Sequence, residues 1–186
     1  TEVNNDGTLI PELSEGWEAT DDASEWVFNL RKGVEFHNGK SLEPQDVIDS
    51  INHHRGKDSK SAAKPLLAAI TELKADGKDK MVFKLSGGNA DFPFTVSDYH
   101  LAIMPSKGNG KVDWQSGIGT GAYVKQKFEP GVRATYKRNP NYFKSGRGNF
   151  DEVEFLTIGD VVARTNALAT GEIDAMSRCD LKTVHL

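Results

Sequence analysis

Cysteine is almost absent from the sequence, because Cys179 is the single thiol among 186 residues. One cysteine excludes a disulfide within the chain and a metal site built from several thiolates. We expect Cys179 to be a small, buried, hydrophobic side chain. Long apolar runs are missing too, since no stretch approaches the roughly 20 consecutive apolar residues that a membrane-spanning helix needs.

The charges show no excess of basic residues on any segment. The sequence has 23 basic and 27 acidic side chains, a net charge of −4, and both signs are mixed along its length. A protein that binds nucleic acid needs a basic stripe to neutralise several phosphates. Nucleic acid is therefore not an expected partner.

The residue patterns of catalysis and metal binding are missing as well. No Gly-x-Ser-x-Gly sequence occurs that would mark a nucleophile. His53 and His54 are adjacent, so on a helix their side chains point about 100° apart and do not chelate one ion together. Residues 117–121 hold three glycines, but they lack the Gly-Lys-Ser/Thr of a phosphate-binding loop and precede a strand pattern. The sequence predicts no enzyme, no cofactor and no metal site.

The first half of the chain combines a strand pattern with a well-marked helix. Trp26, Phe28 and Leu30 alternate within residues 25–31, which is typical of a half-buried strand. Pro44 suits the first turn of a helix, and Gly56 is placed to end that helix. Further predicted elements are a short helix at 64–69, a hairpin at 70–76 and 80–85, a helical turn at 91–96, a buried strand at 101–104 and a surface loop at 106–111.

The second half adds a hairpin, a strand and a capped helix. Residues 123–128 and 133–137 predict the hairpin, and 153–158 predict a strand that is buried on both faces. Asp160 is placed to cap a helix that runs to Thr170. Gly171 then ends this helix, and residues 172–175 start another strand. The pattern indicates a mixed α/β chain with many hairpins.

Ordered motifs resemble the family 5 extracellular solute-binding proteins of ABC importers, the peptide- and nickel-binding type. The most similar stretch starts at Trp26 and continues through Arg31-Lys-Gly-Val-Glu-Phe-His-Asn-Gly39. Others are Pro11-Glu-Leu-Ser-Glu-Gly-Trp17, Pro44-Gln-Asp-Val47, Gly119-Thr-Gly-Ala-Tyr123, Glu129-Pro-Gly-Val132, Arg138-Asn-Pro-Asn-Tyr-Phe143 and Ala167-Leu-Ala-Thr-Gly-Glu-Ile-Asp174. Their order along nearly the whole chain makes the resemblance far more specific than any one motif.

The resemblance implies an α/β fold of the periplasmic-binding-protein type, class II, with only the first lobe and its sub-domain present. Residues 1–174 would form part of this lobe, with the small sub-domain at about 20–115 and part of the main mixed sheet at about 117–174. Residues 175–186 would begin the crossover to a second lobe. Thr1 follows no initiator Met or signal segment and residues 180–186 carry no helix stop, so we expect a piece of a longer chain.

The function implied by the resemblance is capture of a solute outside the cytoplasm. Such a receptor takes a peptide, a nickel complex or a similar small solute and delivers it to ABC permease subunits in the membrane. It would be a monomer in the periplasm or outside the cell. The alternative is the ligand-sensing module of a bacterial transcription regulator, and no residue of the sequence discriminates between the two.

Two segments are the expected solute contacts. Residues 61–63, the first predicted segment, and residues 97–100, the second predicted segment, match positions that approach the ligand in peptide-binding relatives. Relatives often carry Tyr in the first segment, whereas this chain carries alanines and leaves more room. The second segment offers hydrogen bonds and a ring face to a polar or cationic solute. The expected contact residues are Ser61, Ala62, Ala63, Ser97, Asp98, Tyr99 and His100.

Overall fold

A computed structural model describes residues 1–182 and 184 of the chain. These residues form two compact units, which are described separately. Unit 1 consists of Thr1–Val124 and Asn139–Asn149, and unit 2 consists of Lys125–Arg138 and Phe150–Leu186. The predicted crossover at 175–186 extends into positions 183, 185 and 186, which lie outside the described residues. The division into a lobe and a sub-domain stays a prediction.

Unit 1 is built on an antiparallel sheet with a helix against it. In chain order its elements are β1 (Glu2–Val3), β2 (Leu9–Ile10), β3 (Ser14–Ala19), β4 (Glu25–Leu30), α1 (Pro44–Arg55), a 3-10 helix (Pro65–Leu67), β5 (Ile70–Asp76), β6 (Lys80–Leu85), α2 (Phe92–Thr95), β7 (Ser106–Gly108) and β8 (Lys111–Val112). The main sheet has the strand order β3-β4-β6-β5. The predicted strand at 25–31 and the predicted hairpin at 70–85 are thereby confirmed.

The core of unit 1 lies on one face of this sheet. Trp26, Phe28 and Leu30 alternate along β4 and are all buried. The Phe28 ring meets Phe83 of β6 edge to face, with 5.4 Å between centroids, and Phe92 of α2 at 6.2 Å. Such aromatic pairs add about 0.5–1.5 kcal/mol beyond the burial of their area. The period-two pattern of the sequence therefore locates the centre of the core.

Helix α1 begins and ends where the sequence predicts. The carboxylate of Asp46 accepts a hydrogen bond of 2.9 Å from the backbone N–H of Glu43, which satisfies one of the free donors at the helix start. Pro44 occupies the first turn, and Gly56 follows the last residue. Val47 and Ile51 belong to the hydrophobic core. Apolar side chains thus anchor the helix to the core, and a carboxylate of its first turn caps its N-terminus.

The prediction of a buried strand at 101–104 is wrong. This stretch has no regular secondary structure and pairs with no strand among the described residues. Its backbone is instead bound by helix α1: Ser50 donates to the carbonyl of Met104 at 3.2 Å and accepts from its N–H at 2.9 Å. Asp46 accepts from the N–H of Ser106 at 2.7 Å. Because side chains supply these partners, the segment needs no neighbouring strand. We call this set of contacts the α1 clamp.

The loop predicted at 106–111 is a short hairpin. Strands β7 and β8 pair across Asn109 and Gly110, both of which have positive φ. Asn and Gly tolerate this left-handed backbone conformation better than other residues do. The stretch therefore turns more sharply than a flexible loop.

Unit 2 contains the remaining elements, namely β9 (Tyr123–Glu129, whose first two residues belong to unit 1), β10 (Arg133–Arg138), β11 (Glu152–Leu156) and α3 (Val161–Ala169). The three strands form an antiparallel sheet of order β11-β10-β9, so the predicted hairpin is confirmed. Asp160 caps α3 as predicted, because its carboxylate accepts from the N–H of Ala163 at 2.8 Å.

Three further predictions for unit 2 are wrong. Strand β11 is not buried on both faces, since Phe155 is 63% exposed and packs on one side only, against Tyr136. Residues 172–175 form no strand, because the N–H groups of Glu172 and Ile173 bond back to the carbonyl of Ala167 in α3. Cys179 is exposed rather than buried, and it lies beyond α3 in a stretch without regular secondary structure.

No helix in the described residues is long and apolar enough to cross a membrane.

Replacing Gly88 with alanine should destabilise unit 1. A Cβ at this position would lie 2.1 Å from the backbone carbonyl oxygen of Asp22, and a backbone atom cannot move aside cheaply. We expect a loss of about 1–3 kcal/mol in the free energy of unfolding, measured by urea denaturation. Gly87→Ala is the control, because its Cβ would meet nothing within 4 Å. Equal midpoints for the two variants would contradict the close approach.

Replacing Ser50 with alanine should weaken the α1 clamp. Both backbone groups of Met104 would lose their partner, and a buried group without a partner costs about 1–3 kcal/mol. Denaturation together with amide exchange at Met104 measures the effect. Ser86→Ala, at an exposed serine outside the clamp, should change stability by less than about 0.5 kcal/mol. Unchanged protection of Met104 in Ser50→Ala would show that the clamp contributes nothing.

Candidate functional site

The first predicted segment is a turn that follows helix α1. The hydroxyl of Ser61 lies 2.6 Å from Nδ1 of His54 and accepts from the N–H of Ala63 at 3.2 Å. Ala63 is fully buried, whereas Ala62 is exposed. Among the three residues of this segment, Ala62 is thus the exposed one, and Ala63 belongs to the core.

The second predicted segment follows helix α2. The carboxylate of Asp98 accepts from the backbone N–H of His100 at 2.9 Å and lies 2.7 Å from its ring Nδ1. These two hydrogen bonds lower the pKa of Asp98, with the backbone bond as the larger cause. Tyr99 is 85% exposed, and its ring lies on that of His100 with centroids 3.9 Å apart. Ser97 donates to the carbonyl of Phe94 at 2.7 Å.

A cavity of about 390 Å³ lies within unit 1. Ser97, Asp98 and Tyr99 form part of its wall, but His100 and the first predicted segment do not line it. Core side chains make the apolar part of its surface, among them Phe28, Leu30, Val47, Ile51, Met81 and Phe83. Mostly apolar walls with a few polar groups are typical of pockets for small molecules.

Two further stretches line the cavity that the sequence did not predict as site residues. Glu12, Leu13 and Ser14 line one part of it, and residues 119–121 line another. The carboxylate of Glu12 is paired with the ammonium group of Lys144. The sequence carries a signal for the second stretch, because Gly119-Thr-Gly-Ala-Tyr123 is one of the motifs that resemble the family.

His37 holds the Gly-Thr-Gly stretch in place. Its backbone N–H donates to the carbonyl of Gly119 at 2.9 Å, and its ring Nδ1 accepts from the N–H of Gly119 at 3.3 Å. The other ring nitrogen, Nε2, lies 2.9 Å from the carbonyl of Gly121. Only the tautomer with its proton on Nε2 satisfies both ring contacts. His37 is therefore a structural histidine that fixes part of the cavity wall.

His54 differs from His37 because one of its ring nitrogens has no partner. The side chain is buried, and its Nε2 makes no hydrogen bond. Burial lowers the pKa of His54, and nearby His53 and His100 lower this pKa further. His100, at the end of the second predicted segment, is thus close enough to affect the pKa of His54, which contacts Ser61 of the first predicted segment. Among the described residues, no group of three or more His, Cys, Asp or Glu side chains is arranged to hold a metal ion.

Proteins with similar sequences include peptide-binding and nickel-binding proteins and a transcriptional regulator. Di/tripeptide-binding protein 1 of Pseudomonas aeruginosa is 25% identical over 92% of this chain and 37% of its own length. The nickel-binding periplasmic protein of Escherichia coli K12 is 26% identical over 92% of this chain and 33% of its own. A transcriptional regulator, SgrR of Yersinia enterocolitica, is 30% identical over 66% of this chain and 21% of its own. The chain spans about a third of the length of these two binding proteins.

Comparison with solved structures confirms the expected fold. The binding protein AgaA of A. tumefaciens R10, in complex with agropinic acid, superposes with a TM-score of 0.84 at 25% identity. This match covers 92% of the chain and 35% of AgaA. The fold is thus that of a periplasmic binding protein, and the chain corresponds to about a third of one.

The family model for bacterial extracellular solute-binding proteins, family 5 middle, matches residues 8–185. That match covers all the motifs from Pro11 to Asp174 on which the sequence resemblance rests. The chain belongs to the bacterial extracellular solute-binding proteins of family 5.

Proposed function

We propose that the chain is part of the receptor of an ABC importer, which captures a small solute and delivers it to the membrane permease. The observation that carries this proposal is the cavity of unit 1, whose wall includes Ser97, Asp98 and Tyr99 of the second predicted segment. A binding cleft needs an apolar surface for affinity and a few placed polar groups for orientation. This wall offers both, and the relatives named above bind peptides and nickel.

The chemistry of the wall favours a solute that has an apolar part and a polar or cationic part. The floor consists of aromatic and aliphatic side chains of the core. The rim carries the carboxylate of Asp98 and the exposed ring of Tyr99, and a ring face attracts a cation. The carboxylate of Glu12 contributes less, because Lys144 already neutralises it. Ser97, Asp98 and Tyr99 are the proposed contacts in this cavity, whereas Ser61, Ala62, Ala63 and His100 do not line it and stay predictions.

The place of action and the partners are part of the same proposal. A receptor of this kind works in the periplasm or outside the cell as a monomer, and its macromolecular partner is the ABC permease. It performs no chemical reaction on its solute. The identity shared with the nickel-binding periplasmic protein supports this location.

A second candidate function is the ligand-sensing module of a transcription regulator. The identity of 30% with a regulator over 66% of the chain favours it. The two functions share the same solute site and differ in what the rest of the protein does with the signal. Relatives of the receptor type match a larger part of the chain, 92% each, and we therefore place the receptor first.

Solute capture can be tested with a defined panel of dipeptides, tripeptides and the nickel–histidine complex. The natural gene product that contains this chain should be screened first by thermal shift and then by calorimetry, and the chain alone should be measured second. We expect at least one panel member to bind the gene product. The chain alone should bind it weakly or not at all, because fewer contacts must offset the same loss of translational freedom. Equal affinities for the two samples would contradict this expectation.

Tyr99→Ala tests whether the second predicted segment contacts the solute. Loss of a ring face should cost about 0.5–2 kcal/mol, which raises Kd by about 2- to 30-fold. Trp114→Ala is the matched control, since Trp114 is also an exposed aromatic residue but does not line the cavity. If both variants bind the panel member as tightly as the parent protein, the proposed contact is wrong. If no panel member binds the parent protein, the proposed class of solute is wrong.

A further inference from the structure

The wall of the cavity in unit 1 carries two acidic side chains and, among the described residues that line it, no basic one. Glu12 and Asp98 are the two acids, and none of the other lining side chains is that of Lys, Arg or His. In a mostly apolar wall a charge acts strongly on a bound solute, because little water screens it. The partners of these two carboxylates therefore decide which charge the cavity presents to a solute.

The two carboxylates have different partners. Asp98 contacts the backbone N–H and the ring of His100, and no Lys or Arg in the described part of the chain forms an ion pair with it. Glu12 is paired with the ammonium group of Lys144, which also binds Glu2. The side chain of Lys144 is 16% exposed and that of Glu12 is 26% exposed, so solvent screens this pair only in part. Lys144 thus cancels one charge of the wall and leaves the other.

The charged groups beyond this pair balance one another. Glu2 also faces Arg147 at 3.7 Å, so it keeps a cation if Lys144 is removed. The two acids and the two bases of this cluster therefore carry no net charge. The amino group of Thr1 also lies near Glu12, and its pKa is lowered, mainly by burial. In a gene product that extends before Thr1, this nitrogen is an uncharged amide.

Lys144 is held against Glu12 as a cation. Burial is the largest single effect on its pKa and acts to lower it, but the hydrogen bonds and charges of Glu12 and Glu2 together raise this pKa above the ordinary value of 10.5. The backbone of Glu12 is fixed as well, because its carbonyl accepts from Nε of Arg31 at 2.9 Å. The pair is therefore a permanent part of the wall at neutral pH.

We propose that Lys144, which does not itself line the cavity, determines the charge of the solute that the cavity accepts. By cancelling the carboxylate of Glu12, it leaves the wall with the one negative charge of Asp98 instead of two. It thereby limits the affinity of the cavity for cationic solutes. This inference deepens the proposed function and rests on it.

Three dipeptides with an N-terminal alanine test the role of Lys144, namely alanyl-lysine, alanyl-norleucine and alanyl-glutamate. Their second side chains are cationic, neutral and anionic, and calorimetry measures their affinity for the natural gene product that contains this chain. Lys144→Gln should tighten the binding of alanyl-lysine relative to alanyl-norleucine and weaken that of alanyl-glutamate. We expect a change of about 3- to 15-fold, the range for two unit charges roughly 10 Å apart at an effective dielectric constant of about 20 to 40.

Four further variants separate charge from structural damage. Glu12→Gln should have the opposite effect, and the double variant of Glu12→Gln and Lys144→Gln should return to the parent ratio, because both charges are then gone. Lys144→Arg keeps the cation and should also keep the parent ratio. Lys74→Gln is the matched control: Lys74 is paired with Glu72 and does not line the cavity, and both alternate on β5 with Leu73, which packs against the core.

A purely structural role of Lys144 gives a different result. In that case Lys144→Gln weakens all three dipeptides alike, whatever their charge, and the inference is overturned. An unchanged ratio of alanyl-lysine to alanyl-norleucine in Lys144→Gln overturns it too. If Lys144→Gln does not fold, Glu12→Gln decides: weaker binding of alanyl-lysine relative to alanyl-norleucine supports the inference, and an unchanged ratio overturns it.

Failure of this inference is separable from failure of the proposed function. A parent protein that binds a member of the solute panel, with unchanged ratios in the variants, refutes the role of Lys144 alone. A parent protein that binds no panel member, with a Lys144→Gln variant that binds alanyl-lysine, supports the role of Lys144 and refutes the proposed class of solute. If none of the three dipeptides binds the parent or any variant, the inference is overturned whatever the rest of the panel shows.

Discussion

The candidate site depends on two buried polar side chains of helix α1, Asp46 and Ser50. Both are almost fully buried, and each makes hydrogen bonds to the backbone of residues 104–106. Asp46 also accepts from the ammonium group of Lys40 at 2.6 Å, so its buried charge is compensated. Without these partners the part-buried N–H and C=O groups of Met104 and the N–H of Ser106 would be unsatisfied. Leu101 and Ile103 of this segment form part of the cavity wall, so the clamp also shapes the cavity.

His37 and His54 differ in how many of their ring nitrogens make hydrogen bonds. His37 uses both ring nitrogens to hold the Gly-Thr-Gly stretch, so its environment fixes one tautomer. His54 uses one ring nitrogen and leaves the other buried and bare. His37 thus stiffens part of the cavity wall through both ring nitrogens, whereas His54 holds its turn through the Ser61 hydroxyl alone. Both histidines lie in unit 1 and both contact turns of the chain by side-chain bonds.

The proposed function rests on evidence of two kinds. Family membership comes from a match over residues 8–185 and from a fold shared with a binding protein at a TM-score of 0.84. The chemistry of the site comes from the cavity of unit 1, with its apolar floor and its rim of Asp98 and Tyr99. In this proposal the family indicates solute binding, and the wall residues favour a solute with an apolar part and a polar or cationic part.

The sequence alone determined the elements whose partners are near in the chain or whose pattern is strongly periodic. The alternation of Trp26, Phe28 and Leu30 predicted β4, and Pro44 and Gly56 predicted the limits of α1, because these signals act within a few residues. The tertiary structure alone decided the fate of residues 101–104 and of β11. Both apolar runs predict buried strands. The backbone of residues 101–104, however, bonds to a side chain of the distant helix α1, and Phe155 of β11 faces solvent. Likewise, the sequence suggested Ser97, Asp98 and Tyr99, but only packing could place them beside Glu12 and residues 119–121, since a cavity wall is assembled from segments far apart in the chain.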